Sequence, residues 1–422
     1  MVRIARLART LANRRFRWLL IAVALPLPLL QYLIVTAQLS ADLVNRRHDD
    51  YWVYMGAAAT IARGADPYGA SIATSIAQAV GYTYPPLLAW VAQPLVTLDL
   101  TTQALVGFAV LQSCFFAAIV VMTRALGASW ELAALVTLAG ITSYWVRRDL
   151  YEGQADLVIL ALLTIWFWAW VRGGSWWGGV ALAIGAAVKV TPAVLILLPL
   201  ARRRWGMLAG AVAAGVVLFL GLFALNLEYA TRVLPYLPGV VGNPESQSPA
   251  STLLRVFEPA TLYGRPDNLG EWFHILIVAI TAAFVVVTAW RLGSRAIDHD
   301  SVAIEGAAAV ALLPLLTPVT WGHHLVVELI PLYVLAWVAI RRRHLWLGGL
   351  TLLAWVLANP VHLLFMAAYL GGATTPVLMN VWVELPVVGV ILIWALCLYA
   401  YQPKAKTQPA VMQAQAGVMP AG

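Results

Sequence analysis

The sequence has few charged residues, and this scarcity excludes a water-soluble protein. Only 11% of its 422 residues are charged, whereas 62% are hydrophobic and the mean hydropathy is +0.81. A soluble domain requires a charged surface that such a composition does not supply. The short alternating segments typical of a membrane β-barrel are also missing. Apolar runs of about 20 residues recur instead, each long enough to cross roughly 30 Å of hydrocarbon as a helix, so we predict an all-α polytopic membrane protein.

Cysteines, glycine-rich loops and acidic clusters are equally scarce. Cys114 and Cys397 both lie inside apolar runs, where neither a disulfide nor a thiolate metal site is expected. No glycine-rich loop of the kind that cradles nucleotide phosphates is present. The pair Asp49 and Asp50 has no further acidic cluster to accompany it, so a bound divalent cation is not expected. We therefore predict no cofactor and no metal.

The net charge is +8, but the basic residues are placed as topology signals rather than as a surface for nucleic acid. They cluster before the first apolar run, at Arg202–Arg204, at Arg341–Arg343 and around Lys404, and each cluster adjoins an apolar run. This is the positive-inside pattern, which assigns these clusters and the N-terminus to the cytoplasm. No small-residue cleavage site follows the first apolar run, so we interpret it as an uncleaved span.

Twelve spans fit this orientation, and ten to thirteen are possible because the segments between residues 84 and 156 are short. The connections at 39–83 and 226–270 are then external, and long ordered loops of this kind tend to carry function. We expect one transmembrane domain over residues 1–402 and a disordered cytoplasmic tail over 403–422, which is rich in Gln, Ala and Pro. The predicted spans are 18–38, 84–98, 103–123, 130–146, 154–172, 176–200, 205–225, 271–290, 302–319, 324–340, 345–369 and 378–401.

The first external segment contains the stretch "DDYWVYMGAAATIARGADPYG". Tyr54, Ala58 and Ile61 recur at helical spacing, which predicts an interfacial helix from Asp50 to Arg63. The turn residues of "GADPYG" end this helix. A second short interfacial helix is predicted at about 71–79.

Ionisable residues near a membrane are costly to bury and therefore indicate function. Lys189 lies inside an apolar run, and Pro192 three residues later interrupts the helical hydrogen bonds. This lysine either faces a cavity that binds an anion such as a lipid phosphate, or it snorkels to an interface or pairs with a carboxylate. The other ionisable groups are Asp49–Asp50, "RRDLYEGQAD" at 147–156 and "HHLVVE" at 323–328.

The histidines and the aspartate pair each allow a structural and a functional interpretation. Adjacent side chains on a helix point about 100° apart, so His323 and His324 are not expected to share a metal ion. They contact a phosphate or a sugar, or they make structural hydrogen bonds. Asp50 is either a general base whose pKa is raised by Asp49, or part of a solvated helix N-terminus.

These stretches resemble the motifs of a known family. They are similar, in the same order, to glycosyltransferase family 87, the polyprenol-phosphate-mannose-dependent α-1,2-mannosyltransferases of the GT-C superfamily. In the second external loop Ser246 replaces the asparagine of the family pattern, whereas Gln247, Ser248 and Arg255 match it. The resemblance covers about residues 40–345 and rests on "DDYWVYMGAAATIARGADPY", "YTYPPLLAWVAQPL", "YEGQADLVILALL", "GGVALAIGAAVKVTPAVLILLPLARRRW" and "LLTPVTWGHHLVVELIPL".

The resemblance implies a GT-C enzyme with about 12 transmembrane helices. Such an enzyme moves a sugar, here expected to be mannose, from a polyprenyl-phosphate carrier to a hydroxyl of a glycolipid or glycan acceptor. The transfer inverts the anomeric carbon and takes place at the external face of what would be a bacterial plasma membrane. The family pattern assigns the catalytic aspartate to Asp50.

The leaving phosphate needs positive charge or hydrogen-bond donors, because negative charge develops there in the transition state. Lys189, His323, His324 and Arg255 are the candidates for donor phosphate or sugar binding. Most tryptophans lie at span ends as an aromatic belt. The expected substrate-pocket residues are Asp49, Trp52, Tyr54, Tyr84, Gln154 and Trp321, the two tryptophans because they flank Asp50 and His323.

Two alternatives stay open from the sequence. The same scaffold could use another donor, such as polyprenyl-phosphate arabinose, because sugar choice rests on a few hydroxyl contacts. A non-catalytic transporter of lipid-linked sugars would explain the spans and Lys189, but it gives no reason for the carboxylate pair or the long external loop. We find no internal repeat of the kind that many transporters have.

Overall fold

A computed structural model describes residues 18–19, 22–23, 25–43, 50–68, 72–73, 79–80, 82–236, 239–243, 245–257, 270–294, 298–359 and 376–402. Asp49 and the predicted tail at 403–422 lie outside this range. The helices are α1 (Pro26–Leu43), α2 (Asp50–Ala62), α3 (Leu87–Ala92), α4 (Leu100–Leu126), α5 (Trp130–Thr142), α6 (Tyr144–Glu152), α7 (Asp156–Val171), α8 (Trp176–Val188), α9 (Leu197–Ala201), α10 (Trp205–Gly221), α11 (Phe223–Arg232), α12 (Pro249–Phe257), α13 (Glu271–Arg291), α14 (His299–Leu316), α15 (Leu329–Arg341), α16 (Leu345–Ala358) and α17 (Pro376–Ala400). Short 3₁₀ helices cover Gln93–Thr97, Thr191–Ile196, Leu234–Tyr236 and Gly322–Glu328.

The helical membrane architecture predicted from composition is confirmed. Five stretches of the described chain are long and apolar enough to cross a bilayer, and a sixth is added if α10 and α11, which meet at a 94° bend, count as one broken span. Each of the twelve predicted segments contains helix, but several of these helices are shorter than a bilayer is thick. The number of spans therefore stays a prediction. The five stretches are Leu100–Leu126, Glu271–Arg291, His299–Leu316, Gly322–Arg341 and Val383–Ala400.

Two predicted continuous spans are broken, and each break has a local cause. The span expected at 130–146 ends at Thr142, because Ser143 is extended and its hydroxyl accepts a hydrogen bond from Val146 N–H at 3.2 Å to start α6. The span expected at 176–200 ends before Lys189, whose backbone is extended, with φ −151° and ψ 126°. The 3₁₀ helix with Pro192 in its first turn follows directly. Broken helices at membrane depth are tolerated where they line a cavity or are buried in protein.

The first external segment differs from its prediction in two ways. The helix from Asp50 is present and ends at Ala62 instead of Arg63, and most of its side chains are buried against the rest of the protein. Its position at the membrane interface stays a prediction. Where a second helix was predicted at 71–79, residues Ile72–Ala73 (β1) pair antiparallel with Ala79–Val80 (β2). The helix prediction is therefore wrong at these described positions, where the β-branched Ile72 and Val80 favour extended backbone. Residues 71 and 74–78 lie outside the described residues.

Helix α7 lies in the core and is held by neighbouring helices on several sides. α7 packs against α4, α8 and α14. Trp166 and Trp170 are fully buried on it and stack at 5.9 Å between ring centroids. Gly306 of α14 makes room for them, since a Cβ at that position would lie 2.8 Å from the Trp170 ring. This packing fixes the start of α7 relative to the neighbouring helices.

Candidate active site

The candidate site is built on a sharp corner between α6 and α7, within the sequence "EGQAD". Gly153 closes α6 with a left-handed φ of 65°, a conformation that favours glycine. A Cβ at Gly153 would lie 2.4 Å from Cβ of Tyr51, so the absence of a side chain lets α2 pack directly on the corner. Asp149 in the last turn of α6 accepts a hydrogen bond from the backbone N–H of Asp156 at 3.1 Å, which ties the two helices together. The corner thereby presents Gln154 to α2.

Four of the predicted site residues meet at the first turn of α2. The Gln154 amide donates through Nε2 to Oδ2 of Asp50 and to the Tyr84 hydroxyl, the latter at 3.1 Å. The Tyr54 hydroxyl donates to Oε1 of Gln154 at 3.2 Å, and the rings of Tyr54 and Tyr84 lie 4.7 Å apart. Gln154 is almost fully buried. The two tyrosines therefore orient Gln154, and Gln154 orients the Asp50 carboxylate.

The environment of Asp50 suits a general base. Burial raises the pKa of its carboxyl from 3.8 to about 6, and the negative charge of Glu152 contributes to the rise. Lys189, the hydrogen bond from Gln154 and Arg148 lower the pKa in turn. A base is most effective when its pKa lies near the working pH. Asp49, which was predicted to raise the pKa of Asp50, lies outside the described residues. Among the described residues, Glu152 is the carboxylate that raises this pKa.

Lys189 lies at the break between α8 and the following 3₁₀ helix and pairs with Asp156. Its Nζ is 2.8 Å from Oδ2 and 3.0 Å from Oδ1 of that carboxylate, and it lies 5.9 Å from the centroid of the Tyr84 ring. The pairing with a carboxylate, one of the alternatives from the sequence, is therefore what the structure shows. Lys189 and Asp156 also line a small cavity of about 30 Å³ together with Thr317, Thr320 and His324. We name it the cation cavity; its volume suits a water molecule, so a larger anion requires side chains to move.

The two histidines lie on the 3₁₀ helix that follows the Pro318–Trp321 break. His323 is buried, and its Nδ1 lies 3.1 Å from Glu152 Oε2 while its Nε2 lies 3.9 Å from Asp156 Oδ2. His324 stands next to it, with 4.6 Å between the ring centroids. Arg148 extends this series of contacts, because its Nη2 lies 2.6 Å from Oε1 of Glu152. Charged and polar groups therefore line up from Arg148 through Glu152 to His323, and a gap of 3.9 Å separates His323 from the Asp156–Lys189 pair.

One expectation about the histidines is not met. A potential ligand atom from each of Asp156, His323 and His324 lies within 4.8 Å of the others, so adjacency does not keep the histidines apart as expected. A 3₁₀ helix brings neighbouring side chains into a different arrangement from the α-helix assumed for that estimate. The Lys189 ammonium already contacts Asp156, which makes this group a poor place for a second cation.

Arg255 is placed away from these residues and is engaged elsewhere. Its Nε lies 2.6 Å from Glu384 Oε1 on α17, and its Nη1 donates to the carbonyl of Ser246 at 2.9 Å and to that of Asn243 at 3.0 Å. The guanidinium thus anchors the second external loop to α17. The predicted role of Arg255 in donor binding receives no support from these contacts.

The two tryptophans also stand apart from the group around Gln154. Trp52 is buried in a separate apolar cluster with Tyr51, Met55 and Ala104. Trp321 is half-buried and its backbone forms an antiparallel bridge with Ser246 of the second external loop. Asp49 lies outside the described residues. Among the predicted pocket residues, Tyr54, Tyr84 and Gln154 thus contact one another, and Gln154 contacts Asp50.

Glu152, Asp149 and Asp156 are site residues that the sequence analysis quoted without assigning them a place. Asp156 is the partner of Lys189, Glu152 links His323 to Arg148, and Asp149 holds the α6–α7 corner. A usable signal was present, since three carboxylates fall within eight positions of a chain that has only 19 acidic residues. Their spacing indicates a helix end followed by a helix start, which brings them together.

The arrangement combines the Asp50 carboxylate, whose pKa is raised, with the Lys189 ammonium, which is paired with Asp156. Such a pair can remove a proton from a hydroxyl on one side and stabilise a departing anion on the other. The sequence profile described as Glycosyltransferase family 87 matches residues 82–318, more than half of the chain. The chain belongs to this family. Tyr84, Gln154 and Lys189 lie inside the matched region, and Asp50 precedes it.

The similar proteins are mannosyltransferases and arabinofuranosyltransferases by name. The chain is 30% identical over 319 residues to the polyprenol-phosphate-mannose-dependent alpha-(1-2)-phosphatidylinositol mannoside mannosyltransferase of Mycolicibacterium smegmatis, covering 67% of this chain and 68% of that protein. It is 27% identical over 320 residues to the corresponding pentamannoside mannosyltransferase of the same organism, covering 73% and 67%. A shorter match to the alpha-(1->3)-arabinofuranosyltransferase of Corynebacterium glutamicum is 30% identical over 111 residues, 26% of each chain. The predicted family is confirmed, and the chain is a multi-pass membrane glycosyltransferase of family 87.

Proposed function

We propose that this family 87 enzyme transfers mannose from a polyprenyl-phosphate carrier to a hydroxyl of a glycolipid or glycan acceptor, with Asp50 as the general base. The observation that carries the proposal is the contact of Gln154 with Asp50, next to the Lys189–Asp156 pair. The names of the two mannosyltransferases of Mycolicibacterium smegmatis, which specify polyprenol-phosphate-mannose, support the donor. Their acceptors are phosphatidylinositol mannosides, which makes a mannosylated phospholipid the first acceptor to test.

The proposed reaction begins with the acceptor hydroxyl next to Asp50. The carboxylate takes the hydroxyl proton while the oxygen attacks the anomeric carbon of the donor sugar, and the bond from that carbon to the phosphate oxygen breaks. The electron pair of the broken bond leaves with the phosphate. Attack on the face opposite the leaving group inverts the anomeric carbon. Gln154 keeps the carboxylate aimed at the acceptor throughout.

The departing phosphate gains negative charge, and the proposal assigns its stabilisation to the cation cavity. Lys189 supplies the positive charge, and His324 and the hydroxyls of Thr317 and Thr320 line the same space. The phosphate must draw the ammonium away from Asp156 to bind. His323 holds its position between Glu152 and Asp156 and shapes the wall of the site.

For the architecture, we propose the GT-C fold with about twelve transmembrane helices, in which the broken segments at 130–152 and 176–201 count as spans. The site would open at the external face of a bacterial plasma membrane. The basic clusters that adjoin the apolar runs support this orientation. No metal is assigned a role.

A second donor deserves a direct test, because the chain also matches an arabinofuranosyltransferase. Polyprenyl-phosphate arabinose on the same fold would use the same base and the same phosphate contacts. Donor choice would then depend on the contacts to the sugar hydroxyls.

The test is transfer of radiolabel from polyprenyl-phosphate-mannose to phosphatidylinositol mannosides by the purified protein in liposomes. Asp50→Asn should lower the rate by about 10²- to 10⁴-fold, the usual contribution of a general base. Asp66→Asn is the matched control, because Asp66 lies in the same external segment but pairs with Arg232 at the surface, 2.9 Å away. Equal rates for wild type and Asp50→Asn would remove Asp50 from the chemistry. Transfer from the arabinose donor alone would favour the second candidate.

A further inference from the structure

Helices α2, α7, α9 and α15 end in the same type of turn, in which one residue has a left-handed backbone. After α2 and α7 this residue is Gly64 or Gly173, with φ of 72° and 104°. After α9 and α15 it is Arg203 or Arg343, with φ of 54° and 53°. Every other left-handed residue of the described chain is a glycine. The two arginines are therefore exceptions to a pattern that the chain follows elsewhere.

The hydrogen bonds of the arginine turns are those of the glycine turns. The N–H of Arg204 donates to the carbonyl of Pro199 at 2.9 Å, and the N–H of His344 donates to the carbonyl of Ala339 at 2.8 Å. The glycine turn after α7 has the same bond from Gly174, at 2.8 Å. This is the Schellman motif, whose left-handed position favours glycine because a Cβ crowds the neighbouring carbonyl. The backbone therefore gives no reason for arginine at positions 203 and 343, and the reason must lie in the side chains.

The guanidinium groups of Arg203 and Arg343 are exposed. Among the residues that the structure describes, neither group has a hydrogen-bond or ion-pair partner. A topology signal requires only positive charge, which the neighbouring arginines already supply. Those neighbours are engaged with the protein: Arg202 contacts Glu305, Arg204 lies 3.6 Å over the ring of Trp170, and Arg342 donates to the carbonyl of Ala400 at 2.8 Å.

The two arginine turns lie at the same end of the molecule. Arg202 of the first turn donates to the carbonyl of Ser294, between α13 and α14, at 3.3 Å. The Tyr401 hydroxyl, after the end of α17, donates to the same carbonyl. Arg342 of the second turn contacts the last residue of α17, Ala400. These contacts connect the two turns through the α13–α14 connection and the end of α17.

This end of the molecule has the features of a surface at the level of lipid head groups. Trp205 and Trp346 follow the two arginines within three positions, and their side chains are 64% and 79% exposed. The apolar helices α10 and α16 begin there and keep large side chains such as Val217 and Leu352 exposed. Tryptophan prefers the boundary between hydrocarbon and water. Each unpaired guanidinium therefore lies where an apolar, lipid-facing helix surface meets water.

An anion for these arginines has to come from outside the chain. The three acidic residues of the adjoining segment, Asp298, Asp300 and Glu305, serve as a helix cap or pair with other arginines. The terminal stretches 1–17 and 403–422 contain no aspartate or glutamate. The phosphate of a lipid matches a guanidinium in geometry, because two parallel N–H groups can donate to two of its oxygens.

We infer that this surface, which we name the arginine face, binds the head groups of anionic phospholipids through Arg203 and Arg343. Each arginine donates to the phosphate of one lipid, and Trp205 and Trp346 lie beside its glycerol region. Under the proposed orientation these lipids belong to the cytoplasmic leaflet, which attracts basic segments when it is anionic. The inference goes beyond the proposed function, since it depends on neither the sugar donor nor Asp50.

The experiment measures the binding of phosphatidylglycerol and phosphatidylcholine to the purified full-length protein in detergent, by native mass spectrometry. Wild type should bind phosphatidylglycerol more tightly than phosphatidylcholine. Replacing either arginine, by Arg203→Gly or Arg343→Gly, should raise the Kd of phosphatidylglycerol at that turn about fivefold. The Kd of phosphatidylcholine should not change. Because glycine fits the left-handed turn, the melting temperature without lipid should stay within about 2 °C of wild type.

Two further variants separate charge at this face from charge in general. Arg203→Lys with Arg343→Lys keeps both charges and the left-handed residues, so the Kd of phosphatidylglycerol should stay within about threefold of wild type. Arg63→Gln is the matched control, because Arg63 is an exposed arginine directly before the glycine of the turn after α2. It should leave both Kd values unchanged.

Equal affinity of wild type for the two lipids would overturn the inference and leave the arginines as topology signals only. An equal loss in Arg63→Gln would overturn it as well, because the effect would then follow net charge. Millimolar inorganic phosphate that displaces phosphatidylglycerol would assign the arginines to free phosphate instead of lipid. A co-purifying acidic protein that is lost in the glycine variants, without any lipid preference, would assign the face to a protein partner. None of these measurements requires sugar transfer, so they stand or fall separately from the proposed function.

Discussion

Replacing Glu152 with glutamine should move the acid side of the pH–rate profile to lower pH. The pKa of Asp50 is about 6 because of burial, with the charge of Glu152 as the second contribution. Glutamine keeps the size and a carbonyl acceptor for His323 but removes that charge. The pKa of Asp50 should then fall, so the base is ionised at lower pH. Activity that is lost as pH falls through about 6 in wild type should persist to lower pH in the variant.

The size of this shift follows from the groups around Asp50. The pKa of the Asp50 carboxyl rises from 3.8 to about 6, although Lys189, Gln154 and Arg148 all lower it. Glu152 is the second cause after burial, so we expect its removal to lower the pKa by about one unit, or ~1.4 kcal/mol between the two protonation states. Arg148→Gln should raise the pKa of Asp50, and by a smaller amount, because Arg148 is the weakest of the groups that lower this pKa.

The assay is the pH dependence of kcat/KM, whose acid limb reports the base in the free enzyme. Asp99→Asn serves as the control, since Asp99 caps α4 at an exposed position and asparagine caps about as well. The acid limb should move down for Glu152→Gln, move up for Arg148→Gln and stay in place for Asp99→Asn. An acid limb that is the same in all four proteins would refute the assignment of Asp50 as the titrating base.

The remaining predictions concern the ion pair and the α6–α7 corner. Lys189→Met should destabilise the protein by about 3–5 kcal/mol, because it leaves Asp156 buried without its partner. The double variant Lys189→Met with Asp156→Asn should recover most of that stability in thermal unfolding but should not recover the transfer activity. Recovery of activity in the double variant would contradict a role for the cation. Gly153→Ala should lower stability by about 1–3 kcal/mol and should also slow transfer, because φ is 65° and the new methyl group would meet the first turn of α2. A wild-type melting temperature and rate in this variant would show that the corner adapts freely.

Much of the architecture follows from the sequence, because few backbone structures satisfy all their hydrogen bonds inside a lipid bilayer. Apolar length and basic clusters identify the helical segments, since each backbone group must be satisfied within its own segment. The break at Ser143 was not predicted, because hydropathy does not distinguish a straight helix from one that is interrupted, whereas Pro192 had indicated an interruption just after Lys189. The packing of α2 inside the protein was also missed, since its alanines suit an interface and a tight helix contact equally well.

The candidate site was predicted in part. The sequence motifs gave Asp50, Tyr54, Tyr84 and Gln154, which the structure brings into one hydrogen-bonded group. The partner of Lys189 could not be read from the sequence, because residues 33 positions apart meet only through the packing of α7 and α8. The charge of Arg255 suggested phosphate binding, but its partner Glu384 lies more than a hundred positions away.

The Lys189–Asp156 pair has a consequence for the timing of electrostatic stabilisation. Under the proposed reaction, the donor is a phosphate diester with one negative charge, and the departing polyprenyl phosphate acquires a second. Asp156 competes with both for the same ammonium, so the singly charged diester gains less from Lys189 than the more highly charged leaving group does. Because Asp156 competes for Lys189, the ammonium interacts weakly with the bound donor and more strongly with the phosphate as the bond breaks. An interaction that is stronger in the transition state than in the ground state raises the rate. Polyprenyl phosphate should consequently inhibit with a Ki below the Kd of the intact donor, and Asp156→Asn should narrow that difference. Equal values in the wild type would show that the pair exerts no such selection.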